Sequence, residues 1–314
     1  MQFVFLFPGQ GSQSVGMAKM LYEEYELVQD TFDQASQALG YSMEELVFEG
    51  PEERLTQTQF TQPAILTVEV AISRVLVSKG IVPVMSAGHS LGEYASLVLG
   101  QAISFVSALK LVEMRGRYMQ EAVPLGEGTM AAALGCDDDL LIEQVCHEVS
   151  RDGYVVEAAN FNCPGQVVIS GHVGAVHEAC ERLKQKGVRR CIPLNVSAPF
   201  HSSLLKSAGD QLDRELSLID VKKPKIPYFA NVDVEEIKQA DQIRNRLAMQ
   251  VWKPVRWSQT LQKLVSLYPQ GTFVEVGPGA VVSGHMKKVS KDVVCLSTHN
   301  TMALGEVLAL IESA

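Results

Sequence analysis

MSAGHSLGEYASLV, residues 85–98, is the stretch on which the fold turns. The apolar residues 81–85 read as a short buried strand. Residues 91–99 read as a helix with Glu93 in its first turn. Between them Gly88-His89-Ser90-Leu91-Gly92 is G-x-S-x-G in strand–turn–helix context. In that setting a tight elbow lifts a serine hydroxyl to the edge of an α/β sheet. Two readings fit Ser90 at this level: an activated nucleophile, or a serine that only caps the next helix. A nucleophile also needs a base, an oxyanion site and a substrate handle from elsewhere in the chain.

Around this elbow the pattern alternates. Residues 2–7 read as a strand, and helical periodicity follows at 28–39, 62–79 and 105–120. After residues 124–128 the texture changes. Strands are expected at 129–134, 155–159, 167–170 and 189–193. Helices are expected at 137–150, with Asp137 as N-cap, and at 173–186. The order β-α-β-β-α-β is that of a ferredoxin-like unit, read as a small subdomain over residues 125–196. The larger unit, residues 1–124 and 197–314, resumes with helices at 204–216, 241–251, 257–267, 281–289 and 302–311. Its later strands are expected at 226–230, 273–276 and 293–296. Strands alternating with helices imply an α/β architecture whose mostly parallel sheet is covered on both faces.

The chain has 314 residues, 46% hydrophobic and 20% charged, and a net charge of -9. That length allows one large domain with an insert, or two domains. The acidic balance argues against general nucleic-acid binding. No C-x-x-C spacing joins the six cysteines, and no His/Cys cluster has metal spacing, so neither a disulfide framework nor a metal site is expected. Reduced thiols fit a cytoplasmic protein. The N-terminal MQFVFLFPGQ has no basic n-region, and no uninterrupted apolar run of membrane-spanning length is read.

Among the seven histidines, His201 stands in a loop before a helix, where scaffolded catalytic groups commonly lie. Spacing alone makes it only the first of several, since a locally bonded loop histidine fits as well. His147 and His177 fall on charged helix faces, and His172 falls in a strand–helix turn. Phe7-Pro8-Gly9-Gln10-Gly11-Ser12-Gln13 follows the first strand. It fails as a dinucleotide fingerprint because Ser14 stands where a third glycine is needed. Its backbone amides suit an oxyanion, or it is a plain tight turn. Arg115 and Arg117, read at the end of their helix, fit a cation at a helix C-terminus or a carboxylate clamp.

Several motifs then coincide in order: residues 7–13, Gly88–Glu93, Met114-Arg115-Gly116, Asn160-Phe161-Asn162, Pro199-Phe200-His201-Ser202 and Glu275-Val276-Gly277-Pro278-Gly279. With them the chain resembles, over its whole length, the malonyl-CoA:acyl carrier protein transacylases of fatty-acid synthesis. The resemblance implies an α/β-hydrolase-like large domain with a ferredoxin-like small one. It makes Ser90 the acylated nucleophile, His201 its base, and the amides of Gln10 and Leu91 the oxyanion donors. Arg115 becomes the holder of the malonyl carboxylate, and the main-chain carbonyl of Gln250 the group that orients the histidine. Asn160, Asn162 and Phe200 would line the cleft, with Phe200 set against branched donors. Cys163 and Ala198 depart from the pattern without removing a catalytic group.

The implied partners are malonyl-CoA, a substrate and not a cofactor, and an acidic acyl carrier protein. No cofactor, metal, nucleic acid or membrane enters, and a monomer is expected. Lys184, Lys186, Arg189 and Arg190, or Lys287 and Lys288, would offer the carrier a local basic surface. The rival readings are a serine thioesterase or hydrolase, a carrier-binding scaffold, and an acyltransferase of polyketide synthesis.

Overall fold

Phe3–Phe7, FVFLF, is buried at every position, as a parallel strand covered on both faces requires. In the computed structural model, which describes residues 1–196 and 198–312, this strand, β1, is central to the larger of two sheets. The other strands are β2 (Pro83–Gly88), β3 (Gly128–Leu134), β4 (Val156–Cys163), β5 (Gln166–His172), β6 (Arg190–Pro193), β7 (Tyr228–Phe229), β8 (Glu236–Ile237), β9 (Thr272–Glu275) and β10 (Val294–Ser297). Among the described residues the larger sheet runs β10-β9-β1-β2-β7-β8. It is parallel except for the β7–β8 pair at its edge.

Register places the loops that matter. Phe7 pairs with Gly88 and Leu6 with Glu275, so β1, β2 and β9 end together. Residues 8–13, the Ser90 turn and Gly277-Pro278-Gly279 therefore emerge at one carboxyl edge, where open α/β sheets hold their ligands. The amide of His89 donates to the Phe7 carbonyl at 2.9 Å and fastens the elbow to the first loop.

The smaller sheet is antiparallel, in the order β4-β5-β3-β6. Helices Asp139–Val149 and Val173–Gln185 cover one face. Alternation along β3 and β5 divides the side chains: Ala131, Ala133, Val167 and Ile169 meet those helices, while Met130, Ala132 and Val168 join the main core. Phe161 and Val255 exchange backbone bonds with this seam: Phe161 donates to Val255 at 2.9 Å and Val255 donates to Ala159 at 2.8 Å. That presents Asn160 and Asn162 to the larger unit.

The structure corrects some boundaries. Asp138, not Asp137, caps the first small-unit helix, accepting from the Leu141 amide at 3.1 Å. Helix Phe105–Glu121 ends one residue past the expected bound, about a turn beyond Arg117, so Arg115 is interior to it and buried, not at its C-terminus. Ser197, where the return to the larger unit is expected, lies with Ser313 and Ala314 outside the described residues. Helix Thr58–Ser78 is long and apolar enough to cross a membrane, but 83% of its apolar window is buried within the chain. It packs against Phe105–Glu121 as a core helix.

Two glycines make the elbow possible. A Cβ on Gly88 would come 1.9 Å from the Gly92 carbonyl carbon, and one on Gly92 would come 2.5 Å from the Phe7 oxygen. Backbone meets backbone at both points, so neither contact can relax by a rotamer change. Gly88→Ala is expected to destabilise the fold by about 3 kcal/mol, the upper end of the usual cost of overpacking. Urea unfolding checks this, and a midpoint near that of the wild type would refute the packing argument.

Candidate active site

Ser90 sits at φ 50, a left-handed conformation that non-glycine residues adopt only where their surroundings hold them. Here the holder is Asn231, just beyond β7. Its Oδ1 accepts from the Ser90 amide at 2.7 Å, its Nδ2 donates to the Gly88 carbonyl at 2.7 Å, and its own amide donates to Glu93 Oε2 at 3.2 Å. The turn is thus fastened from the neighbouring strand and points the Ser90 hydroxyl at the histidine loop.

His201, itself at φ 59 and buried, places Nε2 2.8 Å from Ser90 Oγ. Its Nδ1 lies 2.7 Å from the Gln250 carbonyl. A carbonyl only accepts, so Nδ1 carries the proton and the Nε2 lone pair faces the hydroxyl. Burial, reinforced by the Arg115 charge, pushes the His201 pKa down to about 3. The imidazole is therefore neutral near neutral pH, the state a general base requires.

Arg115 closes the other side. Its Nη2 donates to Ser90 Oγ at 3.1 Å and to Gln250 Oε1 at 2.8 Å, and its Nη1 donates to Gln62 Oε1 at 2.8 Å. Only 1% of the residue is exposed, and among the described residues no carboxylate lies within ion-pair distance of it. Its Nε has no partner there either. A buried guanidinium held by neutral oxygens alone is costly unless an anion joins it. Gln250 links it to Glu93, donating from Nε2 to Glu93 Oε2 and to the Ser90 carbonyl, both at 2.8 Å. Burial pushes the Glu93 pKa up to about 7, although the bonds from Gln250 and Asn231 act the other way.

A cavity of about 150 Å³ gathers Gln10, Ser90, Leu91, Arg115, Asn160, Asn162, Phe200 and His201. Gln250 stands behind it, joined to His201 and Arg115 by the bonds given above. Neither the Gln10 nor the Leu91 backbone N–H donates to a protein acceptor among the described residues, which leaves both for a ligand oxygen. The Gln10 side chain turns away to Thr58 Oγ1 at 3.4 Å. Asn162 Oδ1 lies 2.9 Å from His89 Nε2, and His89 packs edge-on against Trp257, so this second histidine is engaged away from the serine. His147 and His177 are exposed. His172 Nδ1 accepts from the Val155 amide at 2.9 Å. Neither basic cluster lines the cavity, and Lys184 is paired with Glu181 at 2.8 Å. Cys163 is buried. Among the described residues no group of histidine, cysteine or acidic side chains is placed to hold a metal ion.

A serine hydroxyl on a neutral imidazole, with a buried cation beside it, is a pairing suited to covalent acyl transfer. The comparisons with known proteins agree. The acyl transferase domain family matches residues 4–305, and the chain belongs to it. Malonyl CoA-acyl carrier protein transacylase of Bacillus subtilis is 44% identical over 292 residues, 92% of this chain and 91% of that protein. The protein of the same name in Escherichia coli K12 is 44% identical over 310 residues, 98% of this chain and 99% of that one. Among solved structures, a malonyl-transacylase in complex with a holo type II PKS acyl carrier protein superposes with a TM-score of 0.95. It is 42% identical, covering 99% of this chain and 100% of that one. The transacylase of Coxiella burnetii gives a TM-score of 0.94 at 42% identity, covering 98% and 97%. Within the acyl transferase family, this chain is an enzyme of the malonyl CoA-acyl carrier protein transacylase group.

Asn231, Glu93 and Gln62 were not singled out as site residues by the sequence. Glu93 offered a signal: the one charged residue in a short helix, Gly92–Leu99, which is buried at the acid's position. Asn231 offered only a polar residue after a short strand.

Proposed function

We propose that the enzyme moves a malonyl group from malonyl-CoA to the phosphopantetheine thiol of an acyl carrier protein, through a malonyl-Ser90 ester. The observation that carries this reading is the buried Arg115, without a carboxylate in ion-pair reach among the described residues, touching the hydroxyl of the Ser90–His201 pair. A planar guanidinium matches a carboxylate in two-point fashion. The malonyl carboxylate supplies the missing anion and sets the thioester carbon over Ser90 Oγ.

In the first half-reaction Ser90 Oγ attacks the thioester carbonyl while His201 Nε2 takes its proton. The carbonyl oxygen becomes an oxyanion facing the amides of Gln10 and Leu91, an interaction worth about 2.7–4 kcal/mol per donor. The Gln250 carbonyl, bonded to Nδ1–H, orients the imidazole and stabilises its cation. The tetrahedral adduct expels the coenzyme A sulfur, which takes the proton from His201. The carrier thiol then gives its proton to His201 and attacks the ester, and the steps reverse. Phe200, Asn160 and Asn162 shape the cleft. A groove of about 490 Å³ lined by Thr58, Arg117, Leu125, Asn195 and Val196 shares Gln10 with its neighbourhood, and suits the arm that brings either thioester in.

The small unit, residues 125–196, is read as a ferredoxin-like insert in an α/β-hydrolase-like domain of residues 1–124 and 197–314, which its antiparallel strand order supports. Six free cysteines accord with a reducing cytoplasm, where the enzyme acts as a monomer on fatty-acid synthesis, without nucleic acid or membrane. The likeness to a transacylase bound to a PKS carrier favours polyketide supply as a second reading.

Isolated malonyl-enzyme mixed with holo carrier should discharge its acyl group to the carrier far faster than to water. Equal loss with and without carrier would make the protein a hydrolase. The pH profile tests the base. With His201 held near pKa 3, single-turnover acylation should stay level down through pH 6.5, where a free imidazole gains its proton. It should fall only once Nε2 is protonated at lower pH. Arg115→Ala removes one of the depressing charges and should move that acid limb upward. A wild-type limb centred on the ordinary imidazole value would refute the assignment.

A further inference from the structure

Met130 is a wall between two cavities. It lines the catalytic one and also a separate cavity of about 290 Å³ in the small unit, together with Cys180, Lys184, Cys191 and Pro193. Cys180 lies on helix Val173–Gln185 and Cys191 on β6. The Cys191 thiol donates to the Cys180 carbonyl oxygen at 3.8 Å, which sets the two cysteines against each other. Both are free cysteines, Cys191 half-buried and Cys180 8% exposed. They face one cavity open to a small oxidant.

We propose that Cys180 and Cys191 are a reversible dithiol–disulfide site for peroxides, and that closing the disulfide weakens acyl-donor binding in the adjoining catalytic cavity. Cys191 is the attacking sulfur. It is the more exposed of the two thiols, and Lys184 lines the same cavity with a cation that favours a thiolate there. Thiolate character and access together select the residue that oxidises first. The Cys191 thiolate attacks one peroxide oxygen and the O–O bond breaks. With one proton taken up, the products are a sulfenic acid and water. The Cys180 sulfur then displaces the sulfenic hydroxyl, and its own proton leaves with that group as a second water. Two thiols have lost two electrons and two protons to one peroxide.

The coupling runs through the chain itself. β6 ends at Pro193, and the next amide, Leu194, donates to the Met130 carbonyl at 3.0 Å. Leu194 and Val196 line the catalytic cavity, and Phe200 and His201 follow on the same segment. Binding Cys191 covalently to the helix fixes β6 against it and shifts the Met130–Leu194 wall. Ser90 and its clamp, on the opposite side, are left in place. The effect therefore belongs in KM for the acyl donor more than in kcat.

Peptide mapping after hydrogen peroxide treatment of the whole protein tests the site, and this readout does not depend on the acyl donor. The expected result is a loss of two hydrogens mapped to a Cys180–Cys191 crosslink and reversed by dithiothreitol. A severalfold rise in KM for malonyl-CoA should accompany it. Cys180→Ser and Cys191→Ser should keep basal activity and lose the response; Cys191→Ser, at the half-buried position, serves if the other fails to fold. Oxidation only at Cys136 or another thiol, a response that survives in Cys191→Ser, or a crosslink without a change in KM would overturn the proposal.

Discussion

Replacing Ser90 by alanine is expected to abolish the malonyl-enzyme and lower transfer by on the order of 10⁴-fold or more, because in the proposed mechanism its hydroxyl is the group that accepts the acyl chain from the thioester. The fold should survive the change. What the elbow uses of Ser90 is its backbone: the amide donates to Asn231 and the carbonyl accepts from Gln250. Alanine keeps both, and it occupies the left-handed conformation at a cost close to that of serine. The hydroxyl does take bonds with it, leaving His201 Nε2 and one Arg115 N–H without that partner. A stability loss of up to about 2 kcal/mol is expected from this. Intact mass after brief mixing with malonyl-CoA, beside a melting curve, separates the two effects. A full adduct in the folded variant would place the ester on another residue and refute the nucleophile. His201→Ala should be milder, in the range of about 10²–10⁴-fold, since it removes the base but keeps the nucleophile and the oxyanion amides.

The contrast between Ser90 and His201 shows what a sequence can carry. Ser90 was legible because its signal is local: two glycines, a strand behind and a helix ahead, all within a dozen residues. His201 was level with other histidines because its distinguishing bonds come from afar. Its partners are Ser90, 111 positions away, and the main-chain carbonyl of Gln250, 49 positions away. A backbone carbonyl has no residue type, so only the family resemblance pointed to Gln250. The side chain of that glutamine, which ties Arg115 to Glu93, was not anticipated from sequence. Asn231 was invisible for the same reason, being 141 residues from the amide it holds.

Element types followed a similar rule. Long periodic helices and the β-α-β-β-α-β order were readable because alternation repeats over many residues. Helices Lys19–Glu24 and Glu52–Leu55 and strand β8 were not. They are too short for a period to build up, and they exist because the larger core and the β7 edge give them something to pack on.

Arg115→Ala should lower malonyl acylation by roughly 30- to 3,000-fold, the range for removing one partner of a buried, hydrogen-bonded charge pair, while acetyl acylation falls much less. The argument turns on what surrounds the guanidinium before substrate arrives. It is buried, its bonds go to neutral oxygens of Gln62, Gln250 and Ser90, and among the described residues its Nε is unpartnered. Glu93, the near acid, is held by Gln250 and Asn231, with burial keeping its pKa up at about 7. It therefore neutralises Arg115 only in part near neutral pH. On the proposed reading a malonyl carboxylate completes the pair, whereas an acetyl group leaves the buried charge without an anion. Arg115→Lys should fall between the wild type and alanine, because a single ammonium keeps charge without the two-point fork. Ratios of kcat/KM for the two donors across the three proteins are the measurement. Arg115 also touches Ser90 Oγ and Gln250, so a purely positioning role would depress both donors equally, and equal losses would remove it from carboxylate recognition.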